Sequence, residues 1–507
     1  MRKPLLSLGL VALFAGACGS ANGPTYDPNL VPPPQHHQPT QRPAERPPAT
    51  PYDGVTYEDP GVNPFVDPDE DRESTFALDV DTASYTVARR YIDDGNLPDR
   101  ASVRVEEFVN YFDQGYAAPE DDTFAIHVDG GPSPFLAQDE VLLRIGLKAR
   151  EVADRSRPDA SLTFVIDVSG SMARENRLGL VKQSLHLLVE GLRRDDTVAI
   201  VVYGTDARVL LRPTFARDAG TIIDAIDSLQ PEGSTNAEAG LRLGYEMARQ
   251  QLRDEGINRV VLASDGVANV GATDAETILR RIRADTEAGI QLVSVGFGMG
   301  NFNDALLEQL ADDGDGFYAY VDDLDEARRL FVDDLTGTLQ SVALDARVQV
   351  EFAPGVVEAY RLVGFENRAI DDDDFRDDQV DAGAIGAGHE VTALYALRLS
   401  GEGRNEEDRI GTVSLRWTDP AAREADELDR DIRLSDLANN FQSTAPTFKL
   451  DAIVAATAER FRGSRWGETY NLDQVARLAE QVSEDLPQNQ EVHDFLELLE
   501  AAADLER

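Results

Sequence analysis

The chain has 507 residues, of which 42% are apolar, and its formal net charge is −45 at pH 7. This length excludes a single ordinary core and predicts two or three domains. So acidic a chain is repelled by nucleic acid and by bare anionic membrane surfaces, which excludes both as expected partners. The lone cysteine, Cys18, excludes a fold held together by disulfides.

The first 18 residues have the features of a secretory signal. Basic residues at positions 2 and 3 precede an apolar run over residues 5–14, and small residues lead up to Cys18. A cysteine placed there resembles the lipobox of bacterial lipoproteins, which implies lipidation of Cys18 and membrane anchoring through the lipid. Ala15 stands where leucine is usual, and the sequence Ala15-x-Ala17 is equally suited to ordinary signal cleavage. Gly19 replaces the aspartate that commonly retains lipoproteins at the inner membrane, so we expect an outer-membrane lipoprotein, periplasmic or surface-exposed.

Composition and periodicity then divide the chain into segments. Residues 21–68 hold 13 of the 25 prolines and few apolar residues, which is typical of an extended tether. We expect a signal peptide over 1–18, a disordered tether over 19–73, an α+β region over 74–158, an α/β domain over 159–340, a β-sandwich over 341–433 and a helical region over 434–507.

Strands and helices alternate between residues 161 and 339. The strand runs "LTFVID", "TVAIVVYG", "RVVLASDG", "IQLVSVGFG" and "GFYAYV" are nearly continuous in apolar residues, as in a parallel sheet covered on both faces. The helices between them repeat leucines at steps of three and four. The short link at residues 205–207 leaves no room for a crossover helix and predicts an antiparallel edge hairpin. We therefore predict a doubly wound, mostly parallel α/β sheet.

Strands without intervening helices return after residue 343 and favour a β-sandwich. Neither this segment nor the strands at 124–150 makes a complete sandwich alone. We therefore expect the two sets of strands to pair with each other, which would make the α/β domain an insertion between them.

Oxygen-bearing side chains follow three strands or loops of the predicted sheet. Asp167, Ser169 and Ser171 come directly after the first strand, Thr235 opens a helix, and Asp265 ends a later strand. Ligands collect at the carboxyl ends of strands in open α/β sheets. A compact set of carboxylate and hydroxyl oxygens suits Mg²⁺ or Mn²⁺ rather than zinc. With so few carboxylates the ion is left under-neutralised, so it can accept one more anionic oxygen from a partner's Asp or Glu.

The pattern Asp-x-Ser-x-Ser, followed in order by "GSTNAEAG" and "SDG", resembles the metal-ion-dependent adhesion site of the von Willebrand factor type A family. The resemblance implies that Asp167, Ser169, Ser171, Thr235 and Asp265 coordinate Mg²⁺, or Mn²⁺ or Ca²⁺, directly or through water. The stretches "STFALDVDTASYTVARRYIDDGNLP", "VRVEEFVNYF" and "GFGMGNFND" are similar to the YfbK-like branch of bacterial lipoproteins, over most of residues 58–500. The family implies an envelope protein that binds other proteins. Because no acid, base and nucleophile can be named together, we expect no enzymatic activity. The family also implies coupling of ligand capture to the last helix of the domain, here residues 325–339.

Two alternative functions remain at this stage. The first is a structural envelope scaffold, in which the five side chains merely cap helices and turns. The second is a metal-dependent hydrolase, although none of the six histidines falls in the three site loops and no nucleophile can be named.

Overall fold

The computed structural model describes residues 52, 55, 57–174, 177–266, 280, 283, 285–286, 288–299, 303–401 and 405–507. The predicted signal peptide, Cys18 and most of the predicted tether lie outside the described residues. Residues Thr50–Arg507 form one compact unit, so the parts described below contact one another directly.

The N-terminal part contributes strands and helices to the rest of the molecule. Its elements are β1 (Glu73–Ala77), α1 (Ala83–Asp93), α2 (Val105–Val109), β2 (Phe124–Gly131) and β3 (Glu140–Ala149). Helices and strands both occur here, where the sequence predicts an α+β region over residues 74–158. However, these elements do not form a body of their own, because α1 packs on the α/β sheet and the three strands join the sandwich.

The α/β domain follows. Its elements, in chain order, are β4 (Ala160–Asp167), α3 (Arg177–Gly191), β5 (Thr197–Tyr203), β6 (Ala207–Phe215), α4 (Ala219–Asp227), α5 (Ala237–Gln250), β7 (Ile257–Ser264), β8 (Gln291–Phe297), α6 (Asp304–Asp312), β9 (Tyr318–Val321), α7 (Leu324–Arg328) and α8 (Leu335–Leu339). The strand order is β6-β5-β4-β7-β8-β9. Pairing is parallel throughout except at the edge, where β6 pairs antiparallel with β5, so the predicted doubly wound sheet and its hairpin are confirmed.

Helices cover both faces of this sheet. One face packs on α3 and α4, through residues such as Leu185 and Ile222. The other face packs on α5, α6 and the N-terminal helix α1, whose Val87 and Tyr91 share a core with Tyr320. Central strands buried on both faces explain why their sequences are continuously apolar.

The last helix of the domain is broken rather than continuous. Between α7 and α8 the chain forms a π-helical turn over Arg329–Asp333, in which the Asp334 amide donates to the carbonyl of Arg329 at 2.9 Å. The single helix expected over residues 325–339 is therefore wrong in detail. π-Turns of this kind are rare and commonly occur at functional sites.

The sandwich uses strands from both sides of the α/β domain. Its remaining strands are β10 (Ser341–Phe352), β11 (Val357–Val363), β12 (Gly383–Gly386), β13 (Glu390–Leu399), β14 (Arg409–Thr418) and β15 (Ala425–Arg433). One sheet has the order β1-β10-β14-β15, with β12 beside β10, and the other has the order β11-β13-β3-β2. Because β13 pairs directly with β3, with Val391 opposite Leu147, the expected insertion is confirmed.

Three helices end the chain: α9 (Pro446–Phe461), α10 (Leu472–Asp485) and α11 (Gln490–Glu506). They share a core with α1 and α2, in which Phe108, Phe112 and Phe495 pack edge to face against neighbouring rings. Among the described residues no helix has the length and apolar character needed to cross a bilayer.

A buried ion network joins three parts of the molecule. Arg104, just before α2, pairs with Asp304 at 2.8 Å and Glu308 at 3.1 Å, both on α6. Arg368, in the segment after β11, pairs with four carboxylates, those of Asp79 (3.0 Å), Asp81 (3.3 Å), Glu308 (2.9 Å) and Asp312 (2.7 Å). Since removing one member of a buried pair leaves an uncompensated charge, this network fixes the α/β domain against both neighbours.

Candidate metal site

The sheet brings the predicted ligands to one edge. Asp167 is the last residue of β4, and Asp265 follows β7, which is the parallel neighbour of β4. The carboxyl ends of parallel neighbours lie at the same edge of a sheet, so the two carboxylates meet there. Both are buried, with 0% and 1% of their surfaces exposed.

Direct hydrogen bonds connect four of the five predicted ligands. The Ser169 amide donates to Oδ1 of Asp167 at 2.7 Å, and the hydroxyls of Ser169 and Ser171 lie 2.9 Å apart. The Ser171 hydroxyl in turn donates to Oδ1 of Asp265 at 3.0 Å. The structure thus brings these four predicted residues together, and the side-chain oxygens of Ser169, Ser171 and Asp265 lie at hydrogen-bonding distance in sequence.

The loop that carries Thr235 is hydrogen-bonded to the turn that carries Ser169 and Ser171. The Gly170 amide donates to the carbonyl of Gly233 at 3.1 Å, and the Glu232 amide donates to the carbonyl of Val168 at 2.5 Å. Gly233 has a positive φ of 74°, and a Cβ there would lie 2.3 Å from the Thr205 hydroxyl, so only glycine fits this approach. The half-buried Thr235 lies two residues beyond this attachment.

Asp167 is a buried carboxylate without an ion-pair partner among the residues that the structure describes. Its oxygens accept from the Ser169 amide at 2.7 Å and from the Ser264 hydroxyl at 3.1 Å. Burial raises the pKa of the Asp167 carboxyl to about 6, against the lowering effect of the Ser169 hydrogen bonds and with a further rise from Asp265. A bound cation would remove this electrostatic cost.

Arg177, at the start of α3, is a residue of the site that the sequence analysis missed. Its buried guanidinium pairs with Oδ2 of Asp265, donates to the carbonyl of Met299, and lies 3.4 Å from the carbonyl of Ser171. Nothing in the local sequence marks this arginine, since its contacts join three loops that are far apart in the chain.

The donor set fits a hard divalent cation. Asp167 and Asp265 supply carboxylates, while Ser169, Ser171 and Thr235 supply hydroxyls, which are the oxygen ligands that Mg²⁺ prefers. Arg177 engages one oxygen of Asp265 and leaves the other on the side of the serine hydroxyls. These five residues are the ones that would hold the ion, whose role there is to polarise and attract an anionic oxygen.

A second cluster of buried acidic residues is paired with arginines and differs from the candidate metal site in this respect. Oxygens of Asp79, Glu107 and Glu308 lie within 4.8 Å of one another, and all three residues are buried. Each of these carboxylates already accepts from Arg104 or Arg368. Two arginines thus occupy the place that a metal ion would need, and the group belongs to the buried ion network.

The described histidines contact other parts of the molecule. His186 lies 3.1 Å from Asp227 and His389 lies 2.9 Å from Asp334. His127 contacts the carbonyl of Ala117, and His493 contacts the carbonyl of Pro487. None of these partners is a candidate metal ligand. Among the described residues, then, no histidine is placed as a general base at the carboxyl edge of the sheet.

Comparison with known proteins agrees with this fold. Residues 161–333 match the von Willebrand factor type A domain, residues 52–144 match a second model described as von Willebrand factor, and residues 337–505 match the C-terminal domain of the uncharacterized protein YfbK. The uncharacterized protein YfbK of Escherichia coli (strain K12) is 35% identical over 453 residues, which are 85% of this chain and 78% of that protein. The chain belongs to the YfbK family of von Willebrand factor type A domain proteins.

Other proteins are similar to this chain over a smaller part of its length or at a lower sequence identity. Human inter-alpha-trypsin inhibitor heavy chain H3 is 29% identical over 215 residues, which are 39% of this chain and 23% of that protein. A solved structure of a von Willebrand factor type A protein from Catenulispora acidiphila superposes with a TM-score of 0.44 at 17% identity, over 74% of this chain and 89% of that one. Domains of the type A family typically mediate protein–protein interactions.

Proposed function

We propose that this protein binds other proteins at the cell envelope through a Mg²⁺-dependent adhesion site that accepts a partner's carboxylate. The ligands are Asp167, Ser169, Ser171, Thr235 and Asp265. The observation that carries the proposal is the buried carboxylate of Asp167, which lies among hydroxyls with no ion-pair partner among the described residues. A purely structural turn gains nothing from a buried, unpaired charge of this kind.

The charges of the site favour an anionic partner. Asp167 and Asp265 carry one negative charge each, and Arg177 carries one positive charge. Adding Mg²⁺ would leave this group with one excess positive charge in a buried setting. A partner's Asp or Glu would neutralise it and supply the oxygen that completes the coordination shell.

Metal binding is tested by calorimetry and thermal unfolding. We expect Mg²⁺ to raise the melting temperature of the wild type, because a ligand at 100 times its dissociation constant stabilises a protein by about 2.7 kcal/mol. Asp265→Asn and Ser171→Ala should abolish this rise, whereas Asp224→Asn, an exposed acid on α4, should retain it. Absence of Mg²⁺ and Mn²⁺ uptake by the wild type would leave only the scaffold function.

Partner binding is tested with envelope extract from the source organism. Immobilised wild-type protein should retain specific proteins in Mg²⁺ and release them in chelator, and Asp265→Asn should retain none of them. Retention that is unaffected by chelator and by the substitution would contradict binding at this site.

The membrane anchor is a separate part of the proposal and rests on the sequence around Cys18. We propose lipidation at Cys18 and an outer-membrane location. Metabolic labelling with a fatty acid should mark the wild type but not Cys18→Ser, and the label should fractionate with the outer membrane. An intact mass that shows cleavage with unmodified Cys18 would refute the lipid anchor, and the proposal of a metal site would be unaffected.

A further inference from the structure

A pocket of about 540 Å³ opens beside the candidate metal site. The turn after Ser171 contributes Arg174, and α3 begins with Arg177. The helix α1 contributes Arg90, and β9 with the residue after it contributes Tyr320 and Asp322. This volume lies within the range of about 300–1,000 Å³ that is typical of ligand pockets.

The pocket and the metal site share a wall. Arg177 lines the pocket and pairs with Asp265 of the metal site. The Arg174 amide donates to the carbonyl of Ser171 at 3.1 Å, so the turn that presents Ser171 to the metal site also presents Arg174 to the pocket. The pocket therefore lies directly beside the place where a partner segment would reach the metal site.

Positive charge is in excess in this pocket. Its two acids already have cationic partners, since Asp94 pairs with Arg90 at 3.1 Å and Asp322 accepts two hydrogen bonds from Arg89 at 2.7 and 2.6 Å. By contrast, the exposed side chain of Arg174 makes no ion pair within the described part of the chain.

We propose that this pocket binds a second carboxylate of the same partner segment, so that the protein recognises acidic segments with two carboxylates a few residues apart. The inference rests on the proposed function, because the first carboxylate is the one at the metal ion. Arg174 would meet the second carboxylate with its planar guanidinium, which matches carboxylate geometry with two parallel hydrogen bonds. Once the first carboxylate is bound at the metal ion, the second carboxylate of the same segment binds Arg174 intramolecularly. This increases the affinity of the segment without a larger interface.

The test uses synthetic peptides and the full chain. Two aspartates are separated by one to four glycines in blocked peptides, and each peptide is compared with versions in which either aspartate is replaced by asparagine. In Mg²⁺ we expect at least one two-acid peptide to bind the wild type about fivefold more tightly than both one-acid versions, the gain expected from one partly shielded ion pair. Fluorescence anisotropy of the labelled peptides gives the dissociation constants.

Matched variants assign the preference to the pocket. Arg174→Gln should abolish the two-acid preference while Mg²⁺ uptake by calorimetry is unchanged. Arg212→Gln, an exposed arginine on β6 away from the pocket, should keep the preference. A second pocket variant, Arg90→Gln, frees Asp94 and should weaken the two-acid peptide more than the one-acid peptides.

The outcomes separate this inference from the function on which it rests. If the wild type takes up no Mg²⁺, the metal site itself is refuted. If Mg²⁺ binds but every two-acid peptide matches its one-acid versions, or none binds, or Arg174→Gln keeps the preference, the pocket proposal is overturned. Inorganic phosphate binding that depends on Arg174, without a two-acid preference, would also overturn it by identifying a site for small anions.

Discussion

Replacing Glu106 by glutamine should stabilise the protein at alkaline pH. Glu106 lies on α2 with 1% of its surface exposed, and among the described residues no side chain donates a hydrogen bond to its carboxylate oxygens. Burial, followed by the nearby charge of Glu366, raises the pKa of the Glu106 carboxyl to about 7 from the usual 4.5. The folded chain therefore binds this proton more tightly than the unfolded chain, so the stability from this group is full below pH 4.5 and is lost as the pH rises to 7.

The size of the effect follows from the pKa difference. At about 1.4 kcal/mol for each pKa unit, the ionised carboxylate costs the folded state about 3 kcal/mol at pH 8 and about 1 kcal/mol at pH 5. Glu106→Gln removes the charge and keeps the shape. The gain in unfolding free energy over the wild type should thus be about 2 kcal/mol larger at pH 8 than at pH 5.

Equilibrium urea unfolding at the two pH values measures this difference. Glu358→Gln, an exposed glutamate on β11, is the matched control and should show no such pH dependence. If the unfolding free energy of Glu106→Gln differs from that of the wild type by the same amount at both pH values, the carboxylate is not buried and ionised as described. A variant less stable than the wild type at pH 8 would show the same.

Three further substitutions test the packing that positions the site. Arg368→Met should destabilise the protein by about 3–5 kcal/mol in thermal or urea unfolding, because buried carboxylates lose their cation, and wild-type stability would contradict the network. Gly316→Ala should cost about 3 kcal/mol or prevent folding, since its Cβ would lie 1.6 Å from the carbonyl of Leu292, and a neutral effect would refute this contact. Asp451→Ala should cost about 1.5–3 kcal/mol, because buried Arg144 loses a charged partner at 2.8 Å but keeps Asp129 at 2.7 Å, whereas an unchanged midpoint would show that this ion pair does not stabilise the fold.

The α/β domain could be predicted from the sequence because its signals are local. Strands buried on both faces are continuously apolar, helices repeat at three and four residues, and the short link at residues 205–207 fixes the edge hairpin. Part of the candidate site is local in the same way, since Asp167, Ser169 and Ser171 occupy alternate positions of one turn.

The contacts between distant segments could not be predicted in this way. The sequence predicts that the two sets of strands pair, because neither set completes a sandwich alone. Nothing near β3, however, specifies β13 as its neighbour, about 240 residues further along the chain. The role of α1 as a cover for the α/β sheet depends on the same three-dimensional arrangement, and so does the pairing of Arg177 with Asp265. A buried arginine and an exposed one look alike in sequence, so the residue that lies between the metal site and the pocket was missed.

The use of α1 as a cover has a practical consequence for anyone who wishes to study the metal site in isolation. A fragment trimmed to residues 161–333 would omit α1 and expose the apolar surface around Tyr318 and Tyr320 that Val87 and Tyr91 shield in the intact protein. The fragment would also leave Asp322 without its ion-pair partner Arg89. Such a fragment invites aggregation, and its failure to take up magnesium would be uninformative.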